Sequence, residues 1–393
     1  MIPRYEPPFS FLDLLKSTLR SPDIDALEHV FQDMLQVPHA VLAPSGRAGI
    51  CWALKAASRS GGTVVAPAYT SPVVHEAILE AGDSMRLLDC RPGSFLVAEE
   101  QYASPPPEVS AVILCELFGH TFDLPRIRSV LPSSVDLCIV DMTMTVPTPR
   151  LLERLADRDV AIVSFGIGKS MYAGWGGMLL TKNSLIAEEL KKQRSIAQAH
   201  PGKRVAFLNG KTFLIAAIQS NRVVYSLATR SFETFQSIRG KKGSSEAKMT
   251  PPGAVHSAEW WQPPPSLNRA LILCNIAKAE TFQLVRRRNE NTYREALLGM
   301  KDVTLPPPAD GALSHFSILV SPSLRTPAQK ALKRQGVGTW DHYPFPDYLD
   351  PALYPESFQT SQRILNLPIG NKVTTGQVKW IADRVKAFFS PRN

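Results

Sequence analysis

Apolar residues between about positions 40 and 200 come in short continuous runs: "TVVAP" (63–67), "MRLLD" (85–89), "AVILCELFG" (111–119), "LCIVD" (137–141), "VAIVSF" (160–165) and "GMLLT" (177–181). A strand with one wet face alternates apolar and polar residues. Runs without alternation predict strands buried on both faces. Between them, "SPVVHEAILEAG" (71–82), "DLPRIRSVL" (123–131) and "TPRLLERLAD" (148–157) carry helical spacing. Pro72 in a first turn and Gly82 at an end are the expected helix punctuation. Alternating β and α elements predict a mostly parallel sheet with helices on both faces. In such sheets ligands bind beyond the carboxyl ends of the strands.

The pattern changes at "GKKGSSEAKMTPPGAVHSAEWWQPPPS" (240–266), where Gly, Ser, Lys and Pro dominate around the Trp260–Trp261 pair. A loop of this length is usually functional or disordered, and two adjacent tryptophans argue against plain disorder. From about 267 a single long helix is expected, opening a smaller α+β domain that ends in the amphipathic "TTGQVKWIADRVKAFF". The expected division is a large domain over 1–245, including the N-terminal segment, and a loop with a small C-terminal domain over 246–393.

With 393 residues, 44% hydrophobic and 20% charged, the chain has the composition of an ordinary globular protein. No apolar run reaches the roughly 18 residues of a membrane span. The start, "MIPRYEPPFSFLDLL", lacks the basic-then-apolar order of a leader peptide, so a cytoplasmic location is expected. Cys51, Cys90, Cys115, Cys138 and Cys274 form no C-x-x-C pair and read as reduced, with no metal framework. The net charge of +9 permits an anionic substrate. It does not point to nucleic acid: the basic clusters are Arg286–Arg288, expected on a solvated helix face, and a loop cluster near Lys241.

The stretch "VAIVSFGIGKSMYAGWGGMLLT" (160–181) sets Lys169 between a buried strand and a glycine-rich turn. Gly168-Lys169-Ser170 has the ending of a nucleotide-binding P-loop, but Val163 stands where that motif needs its first glycine. A P-loop also continues into a helix, which Gly174, Gly176 and Gly177 disfavour. The stretch therefore predicts strand, lysine-bearing turn, strand. Two further features fall at strand or helix ends: Asp141 closes "LCIVD", and Ser45-Gly46 opens a helix in "APSGRAGICWALKAA" (43–57). A lysine, a carboxylate and an anion cradle are what pyridoxal phosphate requires. An aspartate ending an apolar strand is more often just a capped strand end.

Several stretches, in order, resemble the DegT/DnrJ/StrS family of fold-type-I, pyridoxal-phosphate-dependent sugar aminotransferases over nearly the whole chain. "SGRAGICWALKA" resembles its phosphate turn, "ELFGHTFDLPRI" its strand-to-helix stretch, and "IVDMT" its cofactor aspartate segment. "SFGIGKSMYAGWGGMLLT" resembles its lysine segment, the most specific match. "RRRNENTYREAL" and "ILNLPI" resemble its C-terminal domain.

The resemblance implies that Lys169 carries the cofactor as a Schiff base and Asp141 faces the pyridine nitrogen. Ser164, with the Ser45, Gly46 and Arg47 turn, would hold the phosphate. It implies transfer of an amino group from an amino acid, with L-glutamate the expected donor, through pyridoxamine phosphate. The acceptor would be a keto group of a sugar, cyclitol or related intermediate, and the enzyme a homodimer with shared sites.

Departures from the family pattern affect the pocket. Arg47 replaces Thr or Ser, and Met144 replaces Gln or His three residues after the aspartate. Ser71 replaces an aromatic or Cys, which makes Tyr69 the candidate ring-stacking partner. "EWWQPPPS" stands where the family has an N-x-R segment. His120, Trp260 and Trp261 are candidate substrate contacts. The alternatives are elimination or dehydration on the same cofactor, a cofactor-binding regulator without turnover, and a nucleotide phosphotransferase. Family dehydratases carry histidine in place of the lysine, so Lys169 counts against the first.

Overall fold

The computed structural model describes residues 1–57, 61–103, 108–198, 205–221, 223–228 and 261–390. Its main sheet has seven strands: β1 (His39–Ala43), β2 (Thr63–Pro67), β3 (Ser84–Leu88), β4 (Val109–Cys115), β5 (Leu137–Asp141), β6 (Asp159–Ser164) and β7 (Gly177–Thr181). Their order is β1-β7-β6-β5-β4-β2-β3. The five strands from β2 to β6 are mutually parallel, whereas β7 runs antiparallel to both β6 and β1. Every residue of β4, β5 and β6 is buried, as continuous apolar runs require. The edge strand β3 is part-exposed.

The expected strands are all present, within one or two residues at most boundaries; "AVILCELFG" ends as a strand at Cys115 and continues as a short 3-10 turn, Leu117–Gly119. Strand β1 is an addition that apolar continuity did not reveal. It owes its place to antiparallel pairing with β7. The expected helices form as Pro72–Ala81, Leu124–Val130 and Pro149–Glu153.

The single helix expected from about 267 is two helices, Ser266–Ile276 and Ala279–Leu297. The first packs on the large core, with Leu267, Leu271, Ile272 and Ile276 buried there. A second core gathers residues from Tyr293 onward together with Ile2. It fills one small antiparallel sheet, β8 (Val303–Thr304), β9 (Phe316–Val320) and β10 (Ile364–Leu367), in the order β10-β9-β8. The expected boundary at 246, Trp260 and the cluster near Lys241 lie outside the described residues.

The arginine triplet corrects the expectation of a solvated face. Successive helical residues are turned by about 100°, so three in a row cannot all point outward. Arg286 is the inward one, only 3% exposed. It donates to Asn371 Oδ1 at 2.8 Å and to the carbonyls of Leu313 at 2.7 Å and Ser314 at 3.1 Å. Burial pulls its guanidinium down to about 10. Arg287 donates to the carbonyl of Asp310, so the two arginines tie the segment before β9 to this helix. Cys51, Cys90, Cys115 and Cys138 are buried, Cys274 is half-buried, and all five are free thiols.

The segment held by Arg286 lies against the loop after β4. Ser314 N–H donates to Phe118 O at 2.9 Å, and Thr145 Oγ1 donates to Ala312 O at 3.1 Å. Gly119 makes this approach possible. Its φ is +100°, and a Cβ there would stand 2.5 Å from Ala312 O. Gly119→Ala should therefore destabilise the protein by at least about 2 kcal/mol, from left-handed strain and a backbone clash. Urea unfolding checks this, and an unchanged midpoint would show that the two segments do not need their close contact.

Candidate active site

Beyond the carboxyl ends of four parallel strands lies a cavity of about 420 Å³, part of it continuous with solvent. Each strand hands it residues. Thr70 and Ser71 follow β2, Glu116 and Leu117 follow β4, Asp141 ends β5 with Thr143 and Met144 just after, and Ser164 ends β6 with Lys169 on the next turn. Gly46 and Arg47, at the start of the Gly46–Ala57 helix, complete one side, and Tyr343 comes from the C-terminal part of the chain.

The helix start is fixed by Ser45, whose Oγ accepts from Ala48 N–H at 3.1 Å. This caps the helix, and its first turn presents backbone N–H groups and a positive dipole end. The loop reaches the sheet through Gly177, where a Cβ would stand 2.7 Å from the Ser45 carbonyl carbon. Gly46 leaves a concavity for the same kind of reason: a Cβ there would fall 3.1 Å from Ser164 Cβ and 3.2 Å from Thr143 Cγ2. A hydroxyl, a helix N-terminus and an empty Cβ position make a cradle fit for a small anion.

Lys169 leaves β6 on a turn closed by Tyr172 N–H donating to Lys169 O at 3.2 Å. No helix follows, so the P-loop geometry is absent. Lys169 Nζ donates to Thr143 Oγ1 at 3.2 Å. Asp141 Oδ1 accepts from Thr143 N–H at 2.9 Å, which orients the carboxylate at the end of β5. Lysine, carboxylate and anion cradle thus meet around one cavity, and this donor set fits pyridoxal phosphate.

Of the residues singled out from sequence, Gly46, Arg47, Asp141, Met144, Ser164 and Lys169 line the cavity. Ser45 supports it as the cap. Arg47 forms an ion pair with Glu76 at 3.4 Å, and burial lowers its guanidinium against the pull of that carboxylate. Tyr69 is not on the wall. It is fully buried, and its hydroxyl donates to His342 O at 2.7 Å while accepting from Tyr343 N–H at 2.8 Å. His120 is also off the wall, buried edge-on against Phe95 at 5.0 Å, with burial pulling its imidazole down to about 3. Trp261 packs on the large core, with Lys55 Nζ 5.8 Å from its ring centre.

Sequence reasoning missed Thr143, Glu116 and Tyr343. Thr143 was legible in principle, two residues after Asp141. Glu116 is buried beside Arg154 at 2.7 Å; burial pushes its carboxyl up to about 7, against the pull of that guanidinium. Tyr343 is 174 positions beyond Lys169, and only the aromatic density of "TWDHYPFP" marks its neighbourhood.

A sequence model of the DegT/DnrJ/EryC1/StrS aminotransferase family matches residues 11–222 and 266–386. The chain belongs to this family. Pyridoxal phosphate is the family's cofactor. Solved structures show the same fold at low identity. The sugar aminotransferase CalS13 from Micromonospora echinospora is 18% identical, with a TM-score of 0.73 over 98% of this chain and 100% of that one. The PMP-form of a putative sugar aminotransferase, Spr1654 from Streptococcus pneumoniae, is 16% identical, with a TM-score of 0.72 over 98% of each chain. PseC of Helicobacter pylori, an aminotransferase involved in the biosynthesis of pseudoaminic acid, is 15% identical, with a TM-score of 0.71 over 99% of each chain. Among the described residues of this aminotransferase, no helix is long and apolar enough to cross a membrane, and no cluster could hold a metal ion.

Thr70 and Ser71 on the cavity wall lead into the Pro72–Ala81 helix, which carries the buried His75. Its ring meets Pro67 O at 2.9 Å through Nε2 and Tyr348 Oη at 2.7 Å through Nδ1. A carbonyl only accepts, so Nε2 carries the proton and Nδ1 accepts from the tyrosine. Burial pulls His75 down from 6.5 to about 4. Below 6.5 the unfolded chain binds a proton that the folded one refuses, so stability contributed by His75 is lost as pH falls from 6.5 toward about 4. His75→Gln, which can donate to Pro67 O, should flatten the acid dependence of the thermal midpoint. An unchanged slope would show that His75 is protonated in the fold.

Proposed function

We propose that this aminotransferase moves an amino group from an amino acid, with L-glutamate as the donor, to a keto group on a sugar, cyclitol or related intermediate. The observation that carries the reading is the convergence of Lys169, Asp141, Ser164 and the Gly46–Ala57 helix start on one cavity. The solved structures named above, which include the sugar aminotransferase CalS13, support a sugar as the acceptor class. We assign pyridoxal phosphate to this cavity and two copies of the chain to the working enzyme.

In this reading Lys169 Nζ would hold the cofactor covalently. When bound, the cofactor supplies an electron sink for the substrate carbon that carries nitrogen. Asp141, which accepts from Thr143 N–H, would pair with the pyridine nitrogen and keep a proton on it. Ser164 and the N–H groups of Gly46 and Arg47 would bind the phosphate, with the helix dipole opposing its charge. Lys169 Nζ would also move the proton at the substrate carbon, the role of a positioned general base and acid. Elimination and cofactor-binding without turnover are not favoured by family membership, and Lys169 stands where the dehydratases have histidine.

The purified protein is expected to absorb visible light. Borohydride should fix the cofactor as added mass on the Lys169 peptide, and L-glutamate should bleach the band. Lys169→Ala should lower kcat on the order of a thousandfold. A colourless protein that cannot be reconstituted with the cofactor would overturn the reading, and a band untouched by amino acids would overturn transamination.

A further inference from the structure

Arg47 stands second in the Gly46–Ala57 helix, beside the glycine of the anion cradle, and lines the same cavity. A cation is out of place there. The first turn of a helix is its positive end, so an arginine is repelled by the dipole. Its side chain also leaves the cradle. The atoms nearest a Cβ at Gly46 belong to Ser164 and Thr143. Successive helical side chains are turned by about 100°, so Arg47 runs along a different wall. It reaches the Pro72–Ala81 helix, where its Nη1 lies 3.4 Å from Glu76 Oε2. Glu76 is three residues past Val73, which lines the cavity together with Ser71 and Val74. The guanidinium thus spans the wall between two helix starts, a reach that a serine or threonine at 47 could not make. The pair is also asymmetric: the Glu76 side chain is 6% exposed and the Arg47 side chain 27%. An entering molecule meets the cation, with the carboxylate behind it.

We propose that the Arg47 side chain is a substrate-binding group: it receives an anionic oxygen group, carboxylate or phosphate, carried by a substrate, and Glu76 is the positioning residue behind it. This rests on the cavity being the site of amino transfer. A guanidinium carries five N–H donors in a planar fork, more than one carboxylate takes up, and the fork matches paired oxygens. Glu76 holds the charge at the wall at 3.4 Å, a looser grip than the 2.7 Å between Arg154 and Glu116. Ser71 adds a hydroxyl on the same wall, and that hydroxyl does not cap the helix it precedes. The cavity then has two separate places for anions. One is the cradle of backbone N–H groups and Ser164. The other is the guanidinium, and it selects substrates that carry a negative group of their own.

The test is calorimetric titration of the full-length protein, saturated with pyridoxal phosphate, with glutarate and with methyl phosphate. Neither probe has an amino or keto group, so binding is read without turnover. Wild type should bind at least one of them, and Arg47→Gln should weaken that binding about thirtyfold, the loss of a charge-assisted contact. A weakened glutarate points to the carboxylate of the amino donor, a weakened methyl phosphate to a phosphorylated acceptor. Arg47→Gln also takes a cation away from the buried Glu76 and should lower the melting temperature. Adding Glu76→Gln removes both charges, and should restore the melting temperature but not the affinity. Affinity restored together with stability would overturn the proposal by assigning the pair to packing. Wild type binding neither probe, or equal affinities in wild type and Arg47→Gln, would overturn it too. A loss of cofactor affinity in Arg47→Gln with probe binding unchanged would do the same, by giving the guanidinium to the cofactor. Absence of amino transfer in wild type would sink the transamination reading and leave these affinities standing. Transfer from L-glutamate with affinities unmoved by Arg47→Gln would sink this proposal alone.

Discussion

The Tyr69 hydroxyl joins the two halves of the site. It gives its proton to His342 O and takes one from Tyr343 N–H, so a single buried group satisfies both faces of one peptide unit. Tyr69 stands just past β2, fixed by the parallel sheet. The peptide it grips belongs to the C-terminal part. Each of these buried backbone groups would be costly if left alone, so the contact has little freedom to slip. Arg286 reinforces it from a different direction, by holding the Leu313 and Ser314 carbonyls over the loop after β4. The cavity wall contributed by Tyr343 depends on both.

The sheet explains why the other walls coincide. Five parallel strands start on one side and end on the other, so whatever follows each of them arrives at the same edge. Charge is arranged around that edge in pairs rather than singly. Arg47 faces Glu76, Arg154 faces Glu116, and Lys169 shares Thr143 with Asp141. Buried ions are tolerated when they are paired and hydrogen-bonded. Such a site can accept an anion without first having to neutralise a large excess of either sign.

The sequence revealed most where local pattern and tertiary role coincide. Strands β2, β4, β5 and β6 were legible because burial on both faces writes an unbroken apolar run. Asp141, Ser164 and Lys169 were legible because strand ends in a parallel sheet share one edge. Strand β1 was not, since its identity comes from a partner far along the chain. The arginine triplet was misread because charge at a position says nothing about which way it turns; only the carbonyls opposite Arg286 decide that. Tyr69 is absent from the cavity lining, and its hydroxyl serves the backbone that carries Tyr343.

The reach of the site along the chain, from Ser45 to Tyr343, also bears on how it comes into being. A ribosome delivers residues in order, and domains generally fold as they emerge. The parallel sheet can close once β7 is made, with Lys169, Asp141 and Ser164 already at its edge. The Tyr69 hydroxyl then has no peptide to grip until another 160 or so residues have followed, and contacts that distant are slow to form. The nascent protein thus passes through an interval in which Lys169 is in place but uncovered, and completion of the last third closes the wall over it.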